Sequence, residues 1–332
     1  MPFGAKVGVM MLGEGFAHNP RTLLHIAPYL RSRSVDPIEI FHRSGVSPSA
    51  LLDANGWIPR ELCFSLGNEL YAATGERFPG AAVGRRFRLA DLGTWGAAVS
   101  RAGTLREACE TASSGVGLVH QGTELRLRTN GRFATLSFAF LGRSRVDPRQ
   151  HILGSLAVLR SVALLAGVPE AVGVQFSQPY ERAGEHLEET FGASLQFGCM
   201  TDGITIDREI LDLPVNLQDT PYRDGADPVE TAASLGALVK DMLPYGGVSV
   251  ERVAGLLRMS TRTLQRRLRD FGFSFEEIID DVRRVEAIRS VISGASSAIE
   301  IAFMLGYSDQ AHFSRAFKRW VGMSPRDYAR RI

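Results

Sequence analysis

The sequence predicts two domains of different fold class, an α+β domain over residues 15–213 and an all-α domain over residues 231–332. In the second, two capped helices, each followed by a turn and an amphipathic helix, predict two helix-turn-helix motifs joined by a long helix. In the first, alternating polar and apolar residues flank Asn130-Gly131, a pair typical of a tight β-hairpin turn. Helical patterns surround this hairpin, which favours a mixed α+β domain.

The second helix-turn-helix motif is predicted at about 298–321. Ser297 and Glu300 have the spacing of a capping box, which satisfies free backbone donors at a helix start. Gly306 suits the left-handed position at a helix end, and Ser308 or Asp309 can cap the next helix. That helix has an apolar face of Phe313, Ala316, Phe317 and Trp320 and another face of Ala311, Ser314, Arg315 and Lys318. Taken alone, the pattern also fits a small helical bundle with a solvated charged face.

A first copy of the motif, at about 249–271, favours the helix-turn-helix interpretation. Ser249 can cap its first helix, and a turn at Met259-Ser260 leads into a helix over 261–271. The second helix buries Leu264, Leu268 and Phe271 and exposes Arg262, Gln265, Arg266 and Arg269. Two such units within ~100 residues fit two successive major grooves, about 34 Å apart.

A long helix, Phe275–Ile292, is predicted to join the two motifs. Its inward residues are expected to be Phe275, Ile278, Ile279, Val282, Val285 and Ile292. We expect this helix to fix the relative orientation of the two motifs.

Composition indicates a soluble cytoplasmic protein. With 332 residues, 45% apolar and 22% charged, the chain resembles ordinary globular proteins, and it has no apolar run of the ~20 residues that a membrane helix needs. The N-terminus has no clear signal-peptide cleavage site. Cys63, Cys109 and Cys199 lie far apart without CxxC spacing, so we expect buried apolar side chains rather than disulfides or a metal site. No cofactor is predicted.

Charge is distributed unevenly along the chain. From Leu235 onward there are 16 Lys+Arg and 11 Asp+Glu, a net charge of +5, whereas the remainder carries 22 and 25, a net charge of −3. A basic C-terminal domain suits a nucleic-acid partner.

The first domain is predicted from its order of helical and strand patterns. The predicted helices are 19–34 interrupted at Pro28, 37–54, Arg60–Thr74, one opened by a Thr104/Glu107 capping box, His151–Ala166 and Tyr180–Phe191. The predicted strands are 125–129, Arg132–Phe140, Val172–Gln178, Leu195–Phe197 and Ile204–Ile206. The helix His151–Ala166 is apolar on most sides, and we favour core packing over a subunit contact. Pro214, Pro221 and Pro228 indicate a linker at 214–230.

The C-terminal residues resemble the DNA-binding domain of the AraC/XylS family of bacterial transcription regulators. The matching residues are Ser249-x-x-x-Val253-Ala254, Ser260-x-x-x-Leu264-Gln265-Arg266, Ile301-Ala302-x-x-x-Gly306-Tyr307, Phe313-x-x-x-Phe317-Lys318 and Gly322-Met323-Ser324-Pro325-x-x-Tyr328. The resemblance is specific, because caps, apolar faces, the turn glycine and the basic face agree in order over roughly the last 98 residues.

The N-terminal residues resemble, more loosely, the effector domain of the OruR-like, arabinose-binding-type branch of that family. The matching residues are Thr74-Gly75, Leu92-Gly93-x-x-Gly96, Thr104-Leu105-x-Glu107-Ala108, Phe197-Gly198 and Leu211-Asp212-x-Pro214. This resemblance implies a domain that binds a small molecule and supports dimerisation.

Candidate DNA-contacting residues follow from the outward faces of the two recognition helices. In the first motif, Thr261, Arg262, Gln265 and Arg266 are placed to reach base edges, and Arg269 to reach phosphate. In the second, the resemblance implies Ser308, Asp309, Gln310, Ala311, Ser314 and Arg315, with Lys318 and Arg319 as phosphate contacts. For Asp309 we favour a helix-capping role, and His312 fits packing against the turn as well as DNA contact.

The leading hypothesis is a bacterial transcription regulator, most often an activator in the resembled family, that is not an enzyme. Its expected partners are double-stranded promoter DNA, RNA polymerase, an unidentified small-molecule effector and a second copy of the chain, with no membrane. One alternative is a DNA-binding module fused to an enzyme such as an alkyl transferase, which needs an activated cysteine beside a base. Another is a ligand-independent DNA-binding protein. Trp95, His120 and Tyr180 are candidates for lining an effector pocket, but we favour ordinary packing and predict no effector residue.

Overall fold

The computed structural model describes residues 15–52, 56–179, 184–216, 235–236 and 238–331. Within these ranges, 16–46 and 56–216 form one compact unit, and 47–52 and 235–331 belong to a second. The short 3-10 helix Pro48–Leu52, which the sequence assigns to the first domain, therefore clusters with the second unit. Most of the predicted linker lies outside the described residues, so the predicted domain boundaries stay predictions.

The first unit is an α+β domain in which helices pack around one sheet. Its described helices are α1 (Ile26–Arg31), α2 (Pro37–Ser44), α3 (Arg60–Thr74), α4 (Pro79–Gly84), α5 (Gly93–Ser100), α6 (Leu105–Gly115), α7 (Arg149–Ala163) and α8 (Gly184–Phe191). Its strands are β1 (Ala17–His18), β2 (Ile58–Pro59), β3 (Thr123–Asn130), β4 (Phe133–Phe140), β5 (Val172–Gln175), β6 (Leu195–Gln196) and β7 (Asp202–Asp207).

The predicted hairpin is confirmed and belongs to a larger sheet. Strands β3 and β4 pair antiparallel with Asn130 opposite Phe133, and Gly131 in the turn has a φ of +60°. The sheet order is β3-β4-β7-β5-β6, in which only the β5–β6 pair is parallel. The separately predicted short strands thus continue the hairpin, and Ala134, Leu136 and Ile206 are buried beneath the helices.

Two predicted helices are broken where local chemistry ends them. The predicted helix 19–34 is a 3-10 turn followed by α1. Pro28 does not interrupt α1, because it lies in the first turn, where backbone N–H groups have no partner within the helix and proline's lack of one costs nothing. The predicted helix 37–54 ends at Ser44, because Gly45 takes the left-handed conformation with φ of +84°.

The predicted capping box at α6 is half formed. Thr104 Oγ1 accepts the Glu107 N–H at 3.2 Å, whereas Glu107 Oε2 accepts the Gly103 N–H at 2.8 Å instead of that of Thr104. The predicted helix His151–Ala166 runs as α7 and finishes in a 3-10 turn over Leu164–Ala166. It packs on α3, α4 and the sheet, as the core-packing interpretation expects.

Helices α4 and α7 cross with their backbones nearly in contact. A Cβ atom added at Gly80 would lie 1.9 Å from the carbonyl oxygen of Gln150, and one at Gly84 would lie 2.4 Å from that of Gly154. Because Gly80 and Gly84 have no side chain, the two helices can lie this close together, and their separation in turn shapes the interior of the first unit.

The second unit consists of helices in its described residues. Residues 238–242 are helical, followed by α9 (Val250–Leu256), α10 (Thr261–Asp270), α11 (Phe275–Ser293), α12 (Ala298–Met304), α13 (Gln310–Val321) and α14 (Pro325–Ala329). The predicted caps Ser249 and Ser297 each accept a backbone N–H at their helix start, and so do Ser260 and Ser324. One inward prediction was wrong: Ile292 is exposed, because Val291 lies on the buried face together with Ala287 and Ile288.

The second recognition helix, α13, is tied to the long helix α11 through one carboxylate. Both oxygens of Asp280 accept hydrogen bonds from Arg319 Nη2, at 2.7 and 2.9 Å, and Oδ2 also accepts the indole N–H of Trp320 at 2.7 Å. The indole hydrogen bond is partly buried, so it should outweigh the more exposed ion pair. Asp280 thereby fixes the last turn of α13 on the helix that joins the two motifs.

Gly80→Ala should destabilise the first unit by about 1–3 kcal/mol, because the new methyl group forces α4 and α7 apart. Urea denaturation of the full chain, followed by circular dichroism, measures the change in the free energy of unfolding. Gly117→Ala is the matched control, since a Cβ there has no other heavy atom within 4 Å. Equal unfolding curves for the two variants would show that α4 and α7 accommodate the added methyl group without loss of stability.

Asp280→Ala should loosen α13 by about 1–2 kcal/mol, because the indole N–H and the guanidinium lose their acceptor. Hydrogen–deuterium exchange should then speed up by roughly tenfold in peptides covering residues 310–321. Glu276→Ala removes an equally charged, exposed side chain from the same helix and should leave that exchange unchanged. Identical protection in the two variants would mean that Asp280 does not brace α13.

Candidate nucleic-acid interface and effector cavity

Helix α10 presents a polar edge because its opposite face is buried. Leu264 and Leu268 point into the unit and are 3% and 2% exposed, and Ser260 accepts the Thr263 N–H at 3.1 Å to start the helix. Arg258, just before this cap, has a φ of +53°, which turns the chain between α9 and α10. The geometry is that of a helix-turn-helix with a short, tight turn.

The predicted contact residues of the first motif lie on the outer side of α10. Arg262, Gln265, Arg266 and Arg269 are exposed, and Thr261 is half-buried at the helix start. Arg269 Nε approaches the carbonyl oxygen of Gln265 at 3.4 Å. Cationic side chains with donors free to point outward suit both base edges and phosphate oxygens.

Helix α13 is built in the same way, with Asp309 as its cap. Asp309 Oδ1 accepts the His312 N–H at 2.8 Å, which confirms the favoured capping role. This backbone hydrogen bond is the main reason that the pKa of Asp309 lies below its usual range. Phe313 and Phe317 are fully buried behind the helix, so its opposite edge faces solvent.

The predicted contact residues of the second motif begin at Ser308, one residue before that cap, and continue along α13. Ser308, Asp309, Gln310, Ala311, Arg315 and Lys318 are exposed, and Ser314 is half-buried. His312 is also exposed, and its Nδ1 lies 3.1 Å from Ser308 Oγ and 3.1 Å from Asp309 Oδ2. His312 thus packs against the turn, which is one of its two predicted roles.

Arg319 differs from the other predicted phosphate contacts. It faces solvent, yet its guanidinium is held by Asp280, as described for the long helix. The structure gives this arginine an intramolecular partner that the sequence did not predict, because the partner lies 39 residues away.

Arg283 and Tyr307 line an open groove beside α13, a position that the sequence did not predict for either residue. Arg283 Nε donates to the carbonyl oxygen of Leu305 at 3.1 Å, and its Cζ lies 5.1 Å from the centre of the Tyr307 ring. Burial raises the pKa of Tyr307. Gly306 completes the turn with a φ of +76°, and a Cβ there would lie 2.6 Å from the carbonyl oxygen of Leu243. Helical periodicity places Arg283 on α11 but cannot show that it reaches this turn.

The first unit contains a largely apolar cavity. Its water-accessible volume is about 80 Å³. A single water molecule needs roughly 10–15 Å³ of such volume, so the cavity has room for several water molecules or one small organic molecule. Trp95 and His120, two of the candidates from the sequence, line this cavity, and Tyr180 lies outside the described residues. Trp95 donates its indole N–H to the carbonyl oxygen of Ala112 at 3.1 Å, so it is also part of the packing.

Cys63 and Cys109 do not have the environment of a nucleophile. Cys63 and Cys109 are buried free thiols, and Cys199 is a half-buried free thiol. Burial raises the pKa of Cys109 to about 12 and raises that of Cys63 further, so neither is a thiolate at neutral pH. This environment argues against the alkyl-transferase alternative.

In the described residues, no helix has the length and apolar character that crossing a bilayer requires.

Two family matches cover most of the chain. Residues 35–215 match the arabinose-binding domain found at the N-terminus of AraC transcription regulators, and residues 253–331 match a helix-turn-helix domain. The second match contains both recognition helices, and the first contains most of the cavity.

Comparison with known proteins gives two curated relatives and one solved structure. The transcriptional regulator VirS of Mycobacterium tuberculosis is 32% identical over 194 residues, 54% of this chain and 57% of VirS, so the chain spans a little over half of that relative's length. The ornithine utilization regulator of Pseudomonas aeruginosa is 27% identical over 309 residues, 87% of this chain and 89% of that protein. The crystal structure of the transcriptional regulator CdpR from the same organism aligns with 92% of this chain and 96% of its own, at 21% identity and a TM-score of 0.42.

The arabinose-binding match alone spans more than half of the 332 residues, and the helix-turn-helix match follows it in the order that the resemblance implied. The chain belongs to the AraC family of transcription regulators.

Proposed function

We propose that this protein regulates transcription by binding promoter DNA through α10 and α13, each entering a major groove. The observation that carries the proposal is the duplication: two capped helices in one unit each bury an apolar stripe and expose a polar edge, with α11 between them. A pair of recognition helices fits two successive grooves of one duplex face.

The exposed side chains divide into base-reading and phosphate-binding groups. The planar forks of Arg262 and Arg266 can bond guanine O6 and N7 together, and the amide of Gln265 can do the same to adenine. Arg269 and Lys318, one turn further along their helices, are placed for phosphate. Of the remaining candidates, Asp309 acts as a cap and Arg319 as a brace, and we assign any DNA contact of theirs a secondary role.

The two classes of contact predict different losses on substitution. Arg266→Ala should weaken binding to the preferred site by about 1–3 kcal/mol and relax base preference at one position, because a bidentate base contact is lost. Lys318→Ala should weaken preferred and random DNA alike and reduce the salt dependence by about one phosphate contact. Filter-binding titrations of the full chain at several salt concentrations measure both effects, on sites that the wild-type protein selects from a random pool.

The two variants serve as controls for each other, since each removes one positive charge. An equal loss on selected and random DNA for Arg266→Ala would reject its base-reading role. A wild-type protein that selects no sequence from the pool would reject the proposed function itself.

We further propose that the first unit senses a small molecule in its cavity. The name of the ornithine utilization regulator connects that relative with a diamino acid. In the described residues of this chain, however, no Asp or Glu lines the cavity, and its polar groups come from Thr22, Gln150, Ser155 and two histidines. The side-chain ammonium of a diamino acid lacks a counter-charge there, so a small, mostly apolar effector fits this cavity better.

Regulation requires the effector to bind two states of the protein with unequal affinity. We propose activation of transcription through RNA polymerase, in the cytoplasm, and assembly with a second copy of the chain, because these properties accompany the family resemblance. A ligand-independent DNA-binding protein is the remaining alternative, and it differs only in the first unit.

A small-molecule screen separates the two. The unfolding temperature of the full chain should rise by several degrees with a matching effector drawn from amines, amino acids, cyclic nucleotides or small apolar acids. Val158→Phe should abolish that rise, because Val158 lines the cavity and the larger ring fills it. A rise that persists in Val158→Phe would place the ligand elsewhere, and no rise with any compound would favour the ligand-independent alternative.

A further inference from the structure

Three histidines from separate parts of the first unit meet in its interior. His18 lies on β1, His120 follows α6 and the 3-10 turn Val116–Leu118, and His151 is in the first turn of α7. One ring nitrogen of each lies within 4.8 Å of the others, and the His18 and His120 rings stack with centroids 4.0 Å apart. His18 is fully buried, His120 is 8% exposed and His151 is half-buried.

His18 is the unusual member of this cluster. Both of its ring nitrogens are buried, and neither has a hydrogen-bond partner among the described residues. Its ring is packed instead against Phe64 and Phe140. A buried polar group without a partner loses its hydration without compensation, so a ligand other than a hydrogen-bonding side chain would be stabilising for this imidazole.

We propose that His18, His120 and His151 bind one divalent transition-metal ion of the Zn²⁺ class. Four-coordinate zinc with Zn–N bonds of about 2.0–2.1 Å places its nitrogen ligands about 3.3 Å apart. The Nε2 atoms of His120 and His151 are already 3.4 Å apart. That separation is long for a hydrogen bond between two ring nitrogens but close to the edge of a zinc tetrahedron.

The chemistry of the three donors also suits a metal. Burial lowers the pKa of all three histidines, that of His151 to about 4, so all three are the neutral imidazoles that metal ions require. Coordination needs the stacked His18 and His120 rings to splay apart, which is a side-chain movement. Imidazole donors favour Zn²⁺ and its neighbours over Mg²⁺ or Ca²⁺, which prefer oxygen ligands.

Charge balance indicates what the fourth ligand must be. The buried guanidinium of Arg60 donates to the carbonyl oxygen of Leu141 at 2.8 Å and lies over the rings of Phe64 and Phe140, against which His18 packs. Three neutral imidazoles leave the ion's two positive charges uncompensated beside this third one. The fourth ligand is therefore an anion, either hydroxide or a carboxylate of a bound molecule.

The open coordination position has a route to that anion. His120 and His151 line the apolar cavity, whereas His18 lies behind them, so an ion held by all three borders the cavity. A site with three protein ligands and one position left open is the arrangement of zinc sites that bind exchangeable ligands. The competing explanation is an N–H···N hydrogen bond between His120 and His151, which leaves the His18 nitrogens unexplained.

Cobalt titration of the full chain tests the site directly. After metal is stripped with a chelator and the chelator is removed, Co²⁺ should bind at one ion per chain with the intense visible bands of four-coordinate cobalt. Zn²⁺ should displace it. His18→Gln, His120→Gln and His151→Gln should each weaken Co²⁺ binding by on the order of 100-fold or more, because each removes a ligand.

Two further variants separate metal binding from folding. His186→Gln changes an exposed histidine outside the cluster and should bind Co²⁺ as the wild type does. His18→Phe keeps an aromatic ring in an apolar site, so it should fold without metal, lack the cobalt bands and lose the rise in unfolding temperature that Zn²⁺ gives the wild type.

The proposal is overturned if the wild type shows only the weak bands of six-coordinate cobalt, or if the three cluster variants bind Co²⁺ as His186→Gln does. The readout does not involve DNA. The metal site and the proposed regulatory function can therefore fail independently.

Discussion

Burial of one apolar stripe on each of the helices α10 and α13 is the constraint on which the proposed DNA-binding surface depends. Leu264 and Leu268 hold α10, and Phe313 and Phe317 hold α13, so rotation of either helix would expose large apolar area at about 25 cal/mol per Å². Because the helical repeat is 3.6 residues, fixing the buried stripe also fixes which side chains face outward. The serine and aspartate caps then set where each helix begins, and thus which residues stand at its exposed end.

The same constraint explains how much of the second unit could be predicted. Caps, turn glycines and apolar stripes are local signals, so both motifs and most outward residues follow from the sequence. The brace between Asp280 and Arg319 does not follow, because helical periodicity carries no information about which exposed residues meet across 39 positions. The wrong prediction that Ile292 is buried has a related cause. Near the end of a helix, a small error in the predicted helical phase decides whether residue 291 or residue 292 faces the core.

The first unit was less predictable for a physical reason. Its strands β5, β6 and β7 are short, and their partners come from distant positions, so their assembly into one sheet with the hairpin is a tertiary outcome. Gly80 and Gly84 gave no sequence signal of their role, since a glycine needed for close backbone approach looks like any other in a helix. His18, His120 and His151 are 102 and 31 residues apart, so no spacing pattern could have grouped them.

The cavity and the histidine cluster bear on each other through free energy. Metal binding that requires the folded state stabilises that state, and an anion that binds the metal adds its own affinity to the same equilibrium. The mostly apolar lining offers little compensation for the hydration that a carboxylate loses when it enters the cavity. Coordination of that carboxylate by the metal ion would supply the missing polar contact, so a small acid could bind. An apolar acid of this kind would thus need the ion to bind, whereas an uncharged effector would not. The charge of the proposed effector therefore decides whether its affinity for the first unit depends on the proposed metal ion.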